Sequence, residues 1–253
     1  MADGPEVSIV MPVYNGEWFI AESIGSVISQ GFENWELIVS DDGSTDATRD
    51  IVGDFVSRDP RVRIITGDGN TGPGAARNRA LTVATGRWIA YLDSDDLWLP
   101  DKLARTLDFA KTRASALTYT SYSRALAPDW RIGREISAPS SASYRQLLRS
   151  NVINTSTVVL DTELLPGFRW SEHDRPEDYV AWLDILRSGH VAYGLQESLT
   201  IYRKGHKSGS ANKLKSSLRV LRIFITRERL SPLEVAWYFS NYTLRGALKH
   251  FRR

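Results

Sequence analysis

The sequence predicts an α/β fold: a mostly parallel central sheet flanked by helices, followed by a helical tail. Three observations predict it. Apolar, β-rich runs alternate with helix-period segments through roughly the first 110 residues, the pattern of parallel strands joined by crossover helices. Acidic clusters stand directly after the second and fourth of these runs, where open parallel sheets bind their ligands. Residues 203–253 then switch to strongly basic segments with apolar positions at helical spacing.

The elements follow in order. Val7-Ser8-Ile9-Val10-Met11 is a first strand, stopped at Pro12. A helix is predicted from about Trp18 to Gln30, with Phe19, Ile20, Ile24, Val27 and Ile28 on or near one face. Glu36–Ser40 is a second buried strand that runs into Asp41-Asp42-Gly43-Ser44; Ser44 or Thr45 then caps a helix reaching Arg58, where Asp59-Pro60 breaks it. Val62–Thr66 reads as a third strand, Gly74–Ala84 as a helix, and Trp88–Leu92 as a fourth strand entering Asp93-Ser94-Asp95-Asp96. Beyond this the pattern loosens. Thr118–Ser123 and Thr155–Leu160 are predicted strands separated by a polar Ser/Pro/Arg-rich connection, Pro176–Arg187 a helix, and Leu199–Arg203 a strand.

Composition narrows the function classes. A chain of 253 residues, 42% hydrophobic and 25% charged, is an ordinary globular protein long enough for one large domain. It has no cysteine, which excludes disulfides, zinc–thiolate sites and cysteine nucleophiles. The start carries no positive region followed by a long apolar run, and no segment approaches the ~20 apolar residues that cross a bilayer, so a cytosolic location is expected. The net charge of +2 conceals an asymmetry: residues 1–202 hold 19 Lys/Arg against 28 Asp/Glu, whereas residues 203–253 hold 13 against 2. A basic tail on an acidic body points to an anionic partner for the tail, and the acidic body argues against nucleic acid.

Because Asp41-Asp42 and Asp93/Asp95/Asp96 each follow an apolar strand, both clusters belong on one sheet edge. Such residues also make turns and helix caps, but converging carboxylates repel one another unless a cation relieves them. The oxygen-only donor set suits Mg²⁺ or Mn²⁺, shared with a diphosphate. A competing motif is Gly67-Asp68-Gly69-Asn70-Thr71-Gly72, which has the GxGxxG spacing between a strand and a helix; it leaves open an NAD-dependent oxidoreductase. Pro73 in the turn and the late position of the motif count against that reading.

Taken together, these runs resemble the family 2 glycosyltransferases of GT-A fold. The resemblance rests on Val7–Asn15, Asp41-Asp42-Gly43-Ser44-Thr45-Asp46, Gly74-Ala75-Ala76-Arg77-Asn78, Ala84-Thr85-Gly86-Arg87, Tyr91–Asp96, Glu177-Asp178-Tyr179 and Tyr202-Arg203-Lys204-Gly205-His206, in order over about residues 6–212. Thr120–Ser123 and Ala192–Leu195 look like the bacterial branch that builds teichuronic acid, capsule, exopolysaccharide and O-antigen. The resemblance implies a GT-A catalytic domain over residues 1–212, with a nucleotide-binding half to 110 and an acceptor half from 111, before a tail over 213–253. It implies an inverting transfer from a nucleotide-sugar, with UDP-sugars first, to a hydroxyl of a lipid-linked or growing polysaccharide.

It also implies roles. Pro12, Val13 and Tyr14 would line the nucleobase pocket, with Asp42 accepting from the base. Arg77 would lie near the donor phosphates, Asp93 and Ser94 near the ribose and diphosphate, and Asp95 on the metal, Mn²⁺ or Mg²⁺. Arg203 and His206 would close over the diphosphate or complete the metal shell. Asp178 would be the general base, because the attacking hydroxyl must lose its proton to a carboxylate that stands clear of the metal. An acidic pair at a helix N-terminus is also simply favourable there.

In the tail, Leu214, Leu218, Leu221 and Ile225 recur at helical spacing among Lys213, Lys215, Arg219 and Arg222; Trp237, Tyr238, Phe239, Tyr242, Leu248 and Phe251 follow Ser231-Pro232. Basic and aromatic residues interleaved in this way fit helices lying in a membrane interface, which would hold the protein on the inner face of the bacterial cytoplasmic membrane. The same faces could instead pack on the catalytic domain or on a second copy, as a homodimer. A non-catalytic sugar-nucleotide-binding protein is the remaining alternative, and it would require a broken base or metal motif.

Overall fold

A computed structural model describes residues 4–127, 129–204 and 213–251. Its first half is β1 (Val7–Val13), α1 (Ile20–Ile28), β2 (Trp35–Asp41), α2 (Thr48–Arg58), β3 (Val62–Thr66), α3 (Pro73–Leu81) and β4 (Trp88–Tyr91). The second half is β5 (Leu97–Trp98), α4 (Lys102–Arg113), β6 (Leu117–Leu126), β7 (Arg131–Ile136), β8 (Ser141–Ala142), α5 (Tyr144–Arg149), β9 (Val159–Asp161), α6 (Glu177–Arg187), β10 (Ala192–Lys204), α7 (Lys213–Arg222) and α8 (Pro232–Phe251). One sheet runs β3-β2-β1-β4-β9-β6-β10-β5, with β7 on β6 and β8 on β10. Pairings among β1 to β4 are parallel, as is β6 with β10, while β9 runs antiparallel to both β4 and β6.

The period-two alternation of the strands divides the core between the two faces. In β1, Ile9, Met11 and Val13 face α1 and α4 through Ile20, Ile24, Val27, Leu103 and Leu107, while Val10 faces the opposite core with Ala80 of α3 and Tyr179 to Leu183 of α6. All seven positions of β1 are buried, which is why all but Ser8 are apolar. β1 is flanked by β2, which follows it directly, and by β4, which returns from the far side. The order reverses there, opening a crevice at the carboxyl ends of β1 and β4.

Three departures from the sequence expectation have local causes. Thr155–Thr157 is a 3₁₀ turn rather than strand, because Asn154 Oδ1 accepts from the Ser156 backbone N–H at 3.0 Å and competes with the ladder; only Val159–Asp161 is strand. The polar connection contains β7, whose residues are almost all exposed and so carry no alternation to read. β10 is much longer than Leu199–Arg203 because its start pairs with β6 and β8.

The tail's apolar residues divide between two faces. Val220, Ile223, Phe224 and Tyr238 are buried in the core shared with α6, where the Tyr179 and Tyr242 rings stand 5.7 Å apart. Glu228 fixes the turn between α7 and α8, its buried carboxylate accepting from the Tyr144 hydroxyl at 2.6 Å and pairing with Arg187 at 3.2 Å. The other face leaves Leu218, Ile225, Leu233, Trp237 and Leu244 exposed, Leu233 at 84%. No helix among the described residues is long and apolar enough to cross a membrane.

Candidate active site

The crevice at the carboxyl ends of β1 and β4 is a cavity of about 460 Å³ lined by Pro12, Val13, Tyr14, Asp42, Arg77, Asp93, Ser94 and Asp95, joined by Asn70, Glu177 and Tyr202. The structure therefore brings together the nucleotide-site residues expected from the sequence, except Arg203. Its walls are built from turns. Asp41, fully buried, accepts from the backbone N–H groups of Gly43 and Ser44 and pairs with Arg49 at 2.7 Å. Gly43 adopts φ 84°, and a Cβ there would sit 2.9 Å from the Gly69 backbone, so only glycine fits both the conformation and the close approach. Asp42 accepts from the Thr71 hydroxyl at 2.8 Å, from Arg79 at 3.0 Å and from the Gly72 N–H at 2.6 Å. A carboxylate has about four acceptor positions, so one remains for a ligand. The Gly67–Gly72 segment thus serves as the wall that Asp42 holds. At the mouth, Tyr14 is 47% exposed, an aromatic face available to a flat ligand. The following turn is held by Asn15 N–H to Ser44 Oγ at 2.9 Å, in the loop before α2, and by Gly16 N–H to Thr48 Oγ1 at 2.8 Å, at the start of α2.

A second cavity of about 420 Å³ shares Asp93 and Tyr202 with the first and is lined further by Asp178, Tyr122, Arg124, Ile136, Asn151 and Asn154. Asp178 sits in the first turn of α6, its Oδ1 accepting from the Tyr179 N–H at 2.7 Å. Burial, then the neighbouring Glu177 carboxylate, push its pKa up to about 6 despite the Tyr179 N–H and Arg77. A carboxylate so placed is ionised at neutral pH yet basic enough to take a proton.

Arg77 ties the two cavities together. Its buried guanidinium donates to Asp93 at 2.6 Å and to Glu177 at 3.1 Å, and lies 4.4 Å over the Trp170 ring. Burial disfavours this charge, but Asp93 and Glu177 outweigh burial and raise its pKa. Glu177 is resisted by burial in the same way, yet Arg77 and Arg175 hold it below the usual range. Arg77 therefore lines the first cavity while its charge joins the end of β4 to the start of α6.

Two sequence expectations need amendment. Arg203 lies outside the lining of both cavities. Successive strand residues point to opposite faces, so Tyr202 enters the site while the Arg203 guanidinium pairs with Glu22 and packs over Phe19 at 5.3 Å. Second, most of the gathered acids are not left to repel: Arg49, Arg79 and Arg77 already partner Asp41, Asp42 and Asp93. Asp96 is a fixture, accepting from Ser156 Oγ at 2.5 Å and from the Arg203 N–H at 3.0 Å. His206 lies outside the described residues.

Sequence reasoning missed the second cavity's wall. Tyr122 and Arg124 share one face of β6 by period-two alternation, and Tyr202 pairs with Arg124 across the strands; the apolar–polar alternation was too irregular there to reveal it.

Residues 8–162 match the sequence model for glycosyl transferase family 2. The chain is 35% identical to the teichuronic acid biosynthesis glycosyltransferase TuaG of Bacillus subtilis, over 97% of each chain. It is 38% identical to an Escherichia coli protein, the UDP-Glc:alpha-D-GlcNAc-diphosphoundecaprenol beta-1,3-glucosyltransferase WfgD, over 96% of this chain and 94% of the other. Among solved structures it resembles S. aureus TarS 1-349 in complex with UDP-GlcNAc, with a TM-score of 0.72 and 20% identity, covering 94% of this chain and 71% of that one.

Proposed function

The chain belongs to glycosyl transferase family 2 and is a glycosyltransferase of GT-A fold; from that premise we propose that it transfers a sugar, with inversion, from a UDP-sugar to a hydroxyl of a lipid-linked glycan. One observation carries the reading. The donor-side cavity, holding Tyr14, Asp42 and the Asp93–Asp95 turn, meets at Asp93 and Tyr202 a second cavity that contains Asp178. An acceptor hydroxyl in the second cavity would approach the sugar of a donor in the first from the side of Asp178, which takes its proton as the oxygen attacks the anomeric carbon. The nucleoside diphosphate leaves on the opposite side, and inversion follows from that geometry. Tyr14 offers the base a stacking face and Asp42 its remaining acceptor position. Asp93, fixed by Arg77, supports the ribose and diphosphate side.

A divalent cation fits the donor set at the β4 end, where Asp95 lines the cavity with oxygen donors alone. Among the described residues no three acidic or histidine side chains form a cluster that would hold a metal by themselves. That suits an ion held by Asp95 and completed by substrate phosphates. Mn²⁺ or Mg²⁺ bound there would stabilise negative charge on the departing diphosphate.

The exposed apolar face of the tail, flanked by Arg219, Arg222, Arg229 and Arg245, supports docking on an anionic membrane at the bacterial cytoplasmic face. That location suits a lipid-linked acceptor like the one in WfgD's name.

A screen of nucleotide-sugars for slow hydrolysis with Mn²⁺ tests the donor reading without knowledge of the acceptor. UDP release from at least one UDP-sugar, suppressed by EDTA, is expected. Release from no UDP-sugar would overturn it.

A further inference from the structure

Resting on the proposed lipid-linked acceptor, we propose that the second cavity is built for a sugar that carries a phosphoryl group, with Arg124 as the residue that binds that group. The cavity has a polar division. At one end stand the carboxylates of Asp93 and Asp178; along β6 and β10 lie Tyr122, Arg124 and Tyr202. Strand geometry sets this arrangement. Tyr122 and Arg124 are two residues apart on β6, hence on one face, and Tyr202 of β10 is the register partner of Arg124. The Tyr122 and Tyr202 rings meet edge to face at 5.9 Å. Two aromatic rings with a cation beside them, facing an acidic end, form an asymmetric receptor. The apolar face of a pyranose packs on the rings, its free hydroxyl meets Asp178, and an anionic substituent meets Arg124.

The state of Arg124 supports this. Its Nε is buried without a hydrogen-bond partner; the Nε of Arg77 is too, but there the two terminal nitrogens hold Asp93 and Glu177. A buried guanidinium donor left unpaired is costly, and a planar fork of donors matches a phosphoryl group's oxygens. An acceptor bearing its phosphate next to the sugar satisfies that donor; a neutral glycoside does not. Asn151 and Asn154 on the opposite wall add amides suited to sugar hydroxyls. The same residue would thus distinguish a glycosyl diphosphate at the start of a chain from the uncharged end of a longer glycan.

The test uses the full-length protein with two synthetic acceptors of equal alkyl length: alkyl-diphospho-N-acetylglucosamine and the uncharged alkyl N-acetylglucosaminide. The donor is the UDP-sugar identified by hydrolysis. A charged hydrogen bond of this kind predicts a wild-type preference for the diphosphate on the order of 10-fold to 100-fold in kcat/KM, expressed through KM. Arg124→Met should bring the ratio near one, and Arg124→Lys should retain part of it. A wild-type ratio near one overturns the proposal, and so does an Arg124→Met variant that keeps the preference. If Arg124→Met does not fold, the wild-type ratio and Arg124→Lys decide. Transfer to neither acceptor, with UDP-sugar hydrolysis intact, overturns the phosphate-reading site and leaves the glycosyltransferase reading standing; absence of hydrolysis sinks the donor reading instead.

Discussion

Replacing Arg77 with methionine separates a positioning role from a phosphate-binding one. The substitution keeps most of the aliphatic stem but deletes the guanidinium that lies over Trp170 and bridges Asp93 and Glu177 at 2.6 and 3.1 Å. Two carboxylates then lose their shared partner. Removing one partner from a buried ion pair costs about 3–5 kcal/mol. Glu177 keeps Arg175 at 3.0 Å, and Asp93 is about one-third exposed, so the lower end applies. For a chain of this size that is a fall in Tm of roughly 10 °C. A second effect falls on Asp178. Burial and Glu177 raise its pKa to about 6, and Arg77 is among the groups opposing that rise. Without Arg77 the proton is held more tightly, and the acid limb of kcat/KM moves to higher pH. Thermal unfolding and a pH–rate profile measure the two effects. A variant with unchanged Tm and acid limb, defective only in KM for the UDP-sugar, would refute the clamp and restore Arg77 to the donor phosphates.

Lys102 offers an independent stability test. Its ammonium is fully buried without a hydrogen-bond partner, 4.0 Å over the Trp98 ring, and burial pushes its pKa down to about 7. A lysine whose folded pKa lies below its unfolded value weakens the fold fully below pH 7, progressively less as pH rises towards 10, and not above that. Lys102→Met should therefore raise the Tm at pH 6 and give a much smaller gain at pH 9; a pH-independent difference would contradict it. For the tail, Leu233→Ser with Trp237→Ser should release the protein from vesicles rich in anionic lipid in a flotation assay, leaving the core-facing Tyr238 and Phe239 untouched. Undiminished binding would remove the membrane contact.

Much of this was legible in the sequence, for a physical reason. Strands buried on both faces, such as Val7–Val13 and Trp35–Asp41, are dominated by apolar residues, and the turns after them must carry the ligand-binding groups of a parallel sheet. Asp42, Asp93 and Asp95 could be placed on one rim from order alone, and Tyr14 joined them through the family resemblance. What could not be read was which acids were already neutralised. Asp42 meets Arg79 from 37 residues away, and Glu177 meets Arg77 across 100. Such pairings are made by the fold, so the expectation that repulsion on the rim demanded a cation was too strong. The case for a metal therefore no longer draws on that repulsion. Arg203 was misplaced for a smaller reason, since a one-residue step along a strand turns a side chain to the other face. The second cavity's wall escaped because Arg131–Ile136 is exposed at all but its last residue, giving no alternation of burial by which to recognise a strand.

The central claim is that Asp178 receives the acceptor's proton while the donor is held elsewhere. Asp178→Asn preserves shape and removes the base. The decisive measurement pairs its turnover with its UDP affinity in the presence of Mn²⁺. The account predicts a fall in kcat of roughly 10²–10⁴-fold with UDP bound as tightly as by the wild type; near-normal turnover would contradict it outright.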